Sequence, residues 1–259
     1  GDGTSGFDPA YGAGIDFYLR AASNVTVAVS DEKGQLVRTL KAQGRAGVNR
    51  LVWDLRHEPT KEVQLRTKPL HMPDFELSQE GTRSGGQRFS ILAAPGTYTV
   101  KLSAGGRDLS QKLVVRKDPN SGGSEVELTE QMKTLAEMRT TTDAAAEVVN
   151  QTELVRYQLQ QLPKLANDPE IAQVAAALEQ KFVEFEMNLV ELRSGGRGQD
   201  GVRFGAKLYS KLTYLANGLM SNDYRPTAQQ LEVQKLHQEQ LKTLQGRLNT
   251  LLNADIAMF

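Results

Sequence analysis

The chain has 259 residues and a formal net charge of zero, with 31 basic and 31 acidic side chains. This balance argues against broad electrostatic binding to nucleic acid or to an anionic membrane surface. The absence of cysteine excludes disulfide bonds, thiolate metal sites and cysteine nucleophiles. No apolar run approaches the roughly 20 residues that a membrane span requires. With 39% hydrophobic residues, the chain can build the packed cores of one or two domains.

Residues 1–13 are predicted to be a linker. They begin without methionine, and the first six residues contain neither a basic segment nor an apolar one. A start of this kind, rich in glycine, serine and threonine, is typical of an interdomain connection. We therefore expect further polypeptide upstream.

Residues 14–118 show hydrophobic alternation with period two, the pattern of half-buried strands. The clearest run has Val25, Val27 and Val29 alternating with smaller or polar residues. Turn sequences separate the runs, namely Asp31-Glu32-Lys33-Gly34, Pro95-Gly96 and Gly105-Gly106. About seven strands without an intervening helix predict an immunoglobulin-like antiparallel β-sandwich.

Residues 57–86 interrupt this alternation. They contain Pro59, Pro69, Pro73 and the pair Gly85-Gly86. We interpret the stretch as a long loop inserted into the sandwich. Long loops are often functional and often merely tolerated, so the pattern alone does not choose between these roles.

Residues 124–259 change to a period of 3.5 and predict an antiparallel four-helix bundle. Pro163 is expected to end or bend the first helix. Asp168 followed by Pro169 predicts the start of the second helix, whose apolar stripe extends to Leu192. The fold class is therefore multidomain β plus α.

The third helix is predicted to begin near Phe204, and Thr227 with Gln230 matches a capping box at the start of the fourth. Between the second and third helices stands Gly195-Gly196-Arg197-Gly198. It follows a helix and lacks the Gly-Lys-Ser/Thr ending of a phosphate-binding loop, so a flexible connector is the favoured interpretation.

No catalytic constellation, metal site or cofactor site emerges from the titratable residues. His57 and His71 lie in the proline-rich loop region without a partner at a recognisable spacing, and His237 is interpreted as a hydrogen-bonded histidine at the edge of the core. Four carboxylates of the second helix are interpreted as a solvated face rather than a glycosidase pair: Glu179, Glu184, Glu186 and Glu191.

Trp53 is the most conspicuous aromatic residue, and two interpretations stand beside each other. A single tryptophan at the end of a strand usually fills a sandwich core. An exposed tryptophan could instead stack on a sugar, but the other aromatics, Tyr11, Phe17, Tyr18 and Phe75, are too scattered to complete a stacking platform, so the core interpretation is favoured. The weak binding candidates are thus Trp53, His57, His71 and Phe75.

The first half resembles the immunoglobulin-like domain of the flagellar hook-capping protein family. The matching segments are Ile15-Asp16-Phe17-Tyr18-Leu19, Val25-Thr26-Val27, Asp31-Glu32-Lys33-Gly34, Val37-Arg38-Thr39-Leu40, Ala46-Gly47-Val48-Asn49, Val52-Trp53-Asp54-Leu55 and Pro95-Gly96-Thr97-Tyr98-Thr99-Val100.

The whole chain is similar to the C-terminal region of bacterial proteins with sortilin-like or BNR-repeat β-propellers. Its matching segments are Trp53-Asp54-Leu55-Arg56, Glu58-Pro59-Thr60, Lys117-Asp118-Pro119-Asn120 and the start of the last helix between Asp223 and Thr227. The resemblance implies an exported bacterial protein (periplasmic, cell-surface or secreted) with its propeller upstream. It carries over no catalytic residue.

The function expected from these patterns is that of a non-catalytic accessory module that packs on or positions the propeller, or mediates assembly. Two alternatives remain open. The first is a module that binds carbohydrate or peptide through the 57–86 loop or a sheet face. The second is a part of a glycosidase-like enzyme whose active site lies in the upstream propeller.

Overall fold

The computed structural model describes residues 10–196 and 198–256. Most of the predicted linker 1–13, Arg197 of the predicted connector and the last three residues of the predicted bundle therefore lie outside the described part. The chain divides into two compact units. The first comprises Gly1–Pro59 and Ser90–Glu125, and the second comprises Thr60–Phe89 and Val126–Phe259.

The described residues form antiparallel β-sheets and five α-helices, as the predicted mixture of β and α structure requires. The strands are β1 (Ala13–Leu19), β2 (Ser23–Ser30), β3 (Leu36–Gly44), β4 (Gly47–Trp53), β5 (Gln64–Leu65), β6 (Arg83–Ser84), β7 (Gly96–Ala104) and β8 (Arg107–Val115). The helices are α1 (Glu125–Ala166), α2 (Pro169–Glu186), α3 (Asp200–Arg203), α4 (Leu208–Leu219) and α5 (Ala228–Thr250), followed by a π-helical segment (Leu251–Ile256).

In the first unit, a four-stranded sheet of order β3-β2-β7-β8 and a two-stranded sheet of β1 and β4 share one core. The alternation of Val25, Val27 and Val29 points these side chains inward, and all three are buried. The Gly105-Gly106 turn joins β7 to β8, and both glycines have the positive φ that a tight hairpin requires.

The segment 57–86, predicted to be a loop of the sandwich, is divided between the units. Residues 57–59 stay with the strands, whereas Thr60–Phe89 belongs to the helical unit. We call Thr60–Phe89 the strap. It carries the short β5–β6 hairpin, and it buries Val63 and Leu65 in the helical core. The prolines predicted a loop, so the apolar pair was not recognised in the sequence. Burial of Val63 and Leu65 holds the strap against the helices.

In the second unit, α1, α2, α4 and α5 contribute to one hydrophobic core. Pro163 does not end α1, which continues for three further residues to Ala166. The predicted caps are confirmed, because the Asp168 side chain accepts a hydrogen bond from the Glu170 N–H and Thr227 forms a capping box with Gln230.

The second helix is shorter than its apolar stripe predicts, since α2 ends at Glu186 rather than near Leu192. The Asn188 side chain donates to the carbonyls of Glu184 and Phe185, each at 2.9 Å, and thereby satisfies groups of the last turn. Leu189 and Leu192 remain fully buried although they lie beyond the helix. The stripe therefore predicted burial correctly and helix length incorrectly.

Candidate functional site

The four residues singled out in the sequence do not form one site. Trp53 and His57 belong to the first unit, whereas His71 and Phe75 belong to the second. Each is therefore considered within its own unit.

Trp53 is fully buried in the core of the first unit. Its ring meets that of Tyr98 edge-on, with centroids 5.3 Å apart, and its indole N–H donates to the Arg56 carbonyl at 2.9 Å. The core interpretation accounts for every part of this side chain, so no face remains on which a sugar could stack.

His57 is half-buried and takes part in the main-chain pairing that follows β4. Its N–H donates to the Ile91 carbonyl at 2.9 Å, and its own carbonyl accepts from the Arg38 guanidinium at 3.2 Å and from the Ser90 hydroxyl. These contacts give the residue a structural role in the first unit.

His71 is exposed in the strap and has a positive φ of 66°. Phe75 is half-buried and lines a depression of about 460 Å3 in the second unit. The two charged residues that line this depression are already engaged: Arg83 donates to main-chain carbonyls, and Glu191 binds the Arg193 guanidinium at 2.7 Å. Both side chains of this pair are therefore held in place by other groups of the protein.

His237 is buried, and its Nδ1 lies 3.2 Å from the Gln240 side-chain oxygen. Burial lowers the pKa of its imidazole, so the neutral form prevails in the fold. The prediction of a hydrogen-bonded histidine at the edge of the core is confirmed.

The predicted solvated face of four glutamates is wrong for two of them. Glu184 is exposed and Glu179 is partly exposed, but Glu186 is fully buried. Glu191 lies beyond the end of α2, and its side chain is only 13% exposed. A helical stripe of glutamates is usually solvated, and here the partners of Glu186 come from another helix.

Those partners form a buried ion cluster, which we define as Glu153, Arg156, Glu179 and Glu186. The Arg156 guanidinium donates to the carboxylates of Glu153 at 2.7 Å and Glu186 at 3.0 Å through Nη1, and to Glu179 at 3.0 Å through Nη2. Only Glu179 has appreciable exposure, whereas Arg156 is 1% exposed. The cluster joins α1 to α2 inside the helical core.

Glu153 also fixes the strap. Its Oε2 accepts from the main-chain N–H groups of Arg66 and, at 2.8 Å, Thr67, while its Oε1 accepts from the Thr67 hydroxyl at 2.8 Å. All four acceptor positions of this buried carboxylate are thus used, one of them by Arg156. Such a carboxylate is a structural anchor, since no lone pair remains for a substrate proton.

Glu186 is the chemically unusual member of the cluster. Burial, and next the neighbouring Glu153 carboxylate, raise its pKa well above the usual value of 4.5. Its Oε1 has no hydrogen-bond partner and no solvent exposure. A neutral carboxyl group at this position leaves the negative charges of Glu153 and Glu179 opposite the positive charge of Arg156.

Arg83 of the strap lies close enough to the cluster to interact with it electrostatically. Its guanidinium donates to the carbonyls of Thr67 at 2.9 Å, Ser194 at 3.1 Å and Leu192 at 3.3 Å. Burial lowers its pKa. Arg83 in β6 therefore hydrogen-bonds both to Thr67, which follows β5 in the strap, and to the segment that follows α2.

The cluster has the residue types of an acid–base site without the access that such a site needs. A catalytic acid or base must come within hydrogen-bond reach of a substrate. The buried Glu153, Arg156 and Glu186 face one another and the strap. Residues 10–196 and 198–256 also contain no group of three or more potential ligands that could hold a metal ion.

The first unit has an open side between β1 and β8. A groove of about 180 Å3 lies there, and its main lining side chains are Ile15, Phe17, Leu102, Leu109, Gln111 and Leu113. Leu109 is the most exposed apolar member, at 69%. We call this feature the β1–β8 groove.

The charged residues beside the groove have partners. Asp16 accepts two hydrogen bonds from the Arg50 guanidinium at 2.6 and 2.8 Å, and this contact lowers the pKa of its carboxyl group. The Lys112 ammonium donates to the Thr99 hydroxyl at 2.8 Å. What the groove offers to a ligand is therefore an apolar floor and two strand edges.

Comparison with known proteins gives no match to a family model, a curated protein or a solved structure. Among the described helices, none is both long enough and apolar enough to cross a bilayer.

Proposed function

We propose that this chain is a non-catalytic accessory module of an exported bacterial β-propeller protein. The role of the module is to pack against or position the propeller, or to mediate assembly. The observation that carries the proposal is the arrangement of the deeply buried charges, which hold the strap onto α1 and α2 instead of facing a cleft.

The finer architecture belongs to the same proposal. Two facing antiparallel sheets with a shared core support an immunoglobulin-like sandwich. Four helices around one core support an antiparallel four-helix bundle. The β-propeller partner and the exported location rest on the resemblance of segments such as Trp53-Asp54-Leu55-Arg56 and Lys117-Asp118-Pro119-Asn120.

The test compares the natural protein with a version that lacks residues 10–256. An accessory module predicts that its removal lowers the thermal midpoint or the assembly state of the remainder, while turnover per folded remainder is unchanged. Glycosidase activity of the isolated chain is assayed with a panel of chromogenic glycosides. Saturable turnover by the isolated chain would contradict the proposal, and so would an upstream polypeptide that is not a β-propeller.

A second candidate function, peptide binding, is supported by the β1–β8 groove. The groove combines exposed apolar side chains with strand edges, which are the features that extended peptides recognise. Carbohydrate binding has less support, because Trp53, the main aromatic residue that could stack on a sugar, is buried.

A further inference from the structure

We propose that the β1–β8 groove binds an extended segment of a separate protein, which adds to the outer edge of β1 as a third strand of that sheet. The inference rests on the peptide-binding candidate and specifies its ligand. The ligand is a strand with apolar residues at alternate positions on one face and no charge on that face.

The two sheets of the first unit differ in width. Four strands form one sheet and two form the other. Because neighbouring strands lie about 4.8 Å apart, the second sheet covers roughly half the width of the first. β4 contacts β3, and β1 shares the groove with β7 and β8. The missing width is therefore on the β8 side, beyond β1.

The inner face of β8 is partly buried at one end and exposed at the other. Arg107, Leu109, Gln111, Leu113 and Val115 alternate onto the inner face of the sheet, and Leu113 and Val115 pack against the core. Leu109 belongs to the same face, yet it is 69% exposed. A strand added beside β1 would lie over Leu109 and bury it.

In the described part of the chain, β1 and β8 each have one edge without a partner strand. Among the described residues, β1 pairs only with β4, and β8 pairs only with β7. The outer edge of β1 therefore presents main-chain donors and acceptors that match those of an extended peptide. This requirement selects an extended strand as the ligand rather than a helix or a small apolar molecule.

Charge defines the inward face of that strand. Asp16 is bound to Arg50, and Lys112 alternates onto the face of β8 opposite Leu109, where it donates to the Thr99 hydroxyl. Arg107 shares the face of Leu109 but stands at the first position of β8 and does not line the groove. A charged side chain inserted over Leu109 and Leu113 would lose its hydration without compensation. The inward residues of the ligand must therefore be uncharged and apolar.

The source of the strand is a separate protein. In the described segments between the strands and helices, the alternating apolar residues Phe89, Ile91 and Ala93 are already buried, so they are not available to fill the groove. A second copy of this chain is the alternative occupant, and self-association through the β1 edge is one of the outcomes that the test separates.

The test uses a synthetic peptide, Lys-Thr-Val-Thr-Val-Thr-Val-Thr-Lys, which has alternating valines and terminal lysines for solubility. Its control, Lys-Thr-Thr-Val-Val-Val-Thr-Thr-Lys, has the same composition without the alternation. A third peptide has the alternating sequence with methylated main-chain nitrogens, which removes the donors needed for strand pairing. Binding is followed by NMR shifts of the main-chain amides of Ala13–Leu19.

Two variants of β8 test whether the peptide binds at the β1–β8 groove. Leu109→Lys places a charge in the groove, whereas Val114→Lys places one on the opposite face of the same strand, where Val114 is 61% exposed. Since both side chains are exposed, both variants are expected to fold, which circular dichroism checks. We expect the alternating peptide to shift the β1 amides, with affinity at least tenfold weaker for Leu109→Lys and unchanged for Val114→Lys.

Four results would overturn the inference. These are no shift at about 1 mM peptide, equal binding of the control or methylated peptide, equal weakening by both variants, and self-association of the chain that occupies the β1 edge. Each of them leaves the accessory-module proposal standing. Conversely, turnover by the isolated chain would contradict that proposal without touching strand addition.

Discussion

Glu153 is the residue on which the helical unit depends most directly. A glutamine there keeps one carbonyl oxygen and turns its amide either toward the N–H groups of Arg66 and Thr67 or toward Arg156, all of which are donors. We expect Glu153→Gln to lower the free energy of unfolding by about 3 kcal/mol, because it leaves buried donors unpaired. Urea denaturation measures the change in the free energy of unfolding.

The matched control for Glu153→Gln is Glu147→Gln on the same helix. Glu147 pairs with Lys61, but both side chains are more than half exposed. Removing an exposed ion pair is expected to have little effect on stability. Equal losses for the two variants would contradict the anchoring role of Glu153.

Glu186 makes the stability of the helical unit depend on pH. Its folded-state pKa lies above the usual value of 4.5, so the carboxyl group retains its proton on folding. The stabilisation is fully present at low pH and is lost as the pH rises through the folded-state pKa. Besides Glu153 and Arg156, the charged groups around it are Glu179 and Arg83.

Glu186→Gln mimics the neutral acid and cannot ionise. We expect the variant to match the wild type below the usual pKa of 4.5 and to become increasingly more stable than the wild type as the pH rises to about 9, because unfolding of the wild type releases a proton that the fold retains. Thermal unfolding across this range measures the difference. A difference that does not change with pH, or one of the opposite sign, would show that Glu186 is ionised in the fold.

Single residues varied in how far the sequence could predict them. The caps at Asp168 and Thr227 follow from local chemistry, and both are confirmed. Arg156 was missed although a signal exists, since it occupies a position of the apolar stripe between Thr152 and Leu159 at spacings of four and three. A charge in that position indicates a buried partner, but the partner's identity depends on how α1 and α2 pack.

At the scale of elements, α1 provides the strap with a row of hydrogen-bonding side chains. The Asp143 carboxylate accepts from the Lys61 N–H at 2.6 Å, and Asn150 bonds both the Gln64 N–H and the Glu62 carbonyl at 2.8 Å. With Glu153, these residues recur at spacings of seven and three and thus share one helix face. The row satisfies main-chain groups that a neighbouring strand would otherwise satisfy.

Asn150→Ala tests this row. It removes one acceptor and one donor, so we expect a loss of about 2 kcal/mol and faster amide exchange in residues 62–64. Gln151→Ala is the control, because Gln151 is the exposed neighbour on α1. Hydrogen-exchange mass spectrometry would contradict the account if the strap exchanged equally fast in the two variants.

The position of the strap on the helices could not be predicted from the sequence. Its two prolines, Pro69 and Pro73, are typical of a loop, and the period-two pair of Val63 and Leu65 is too short to predict a strand. The complementary row on α1 resembles any solvated polar face. Only the fold brings both patterns together, so neither is informative alone.

For the whole molecule, each unit has its own hydrophobic core. Trp53, the single tryptophan, lies in the first core, while the α-helices lie in the second unit. We expect Glu153→Gln to shift the unfolding midpoint measured by circular dichroism at 222 nm more than the midpoint measured by tryptophan fluorescence. Equal shifts would indicate that the chain unfolds as one cooperative unit.

The change of hydrophobic period near residues 118–124 predicted the change from strands to helices, and it lies beside the unit boundary at Glu125–Val126. The assignment of Thr60–Phe89 to the second unit could not be predicted in this way, because it depends on contacts between residues that are distant in sequence. The open side of the first unit could not be predicted either, because Leu109 follows the same alternation as buried strand residues.

The central claim is that this chain contributes binding rather than turnover. Sedimentation velocity of an equimolar mixture of the isolated chain and the proposed upstream β-propeller tests it most directly, with glycoside hydrolysis assayed on the same samples. The account predicts one faster-sedimenting species and no turnover by the chain alone. Two independent boundaries, or saturable hydrolysis by the isolated chain, would contradict it.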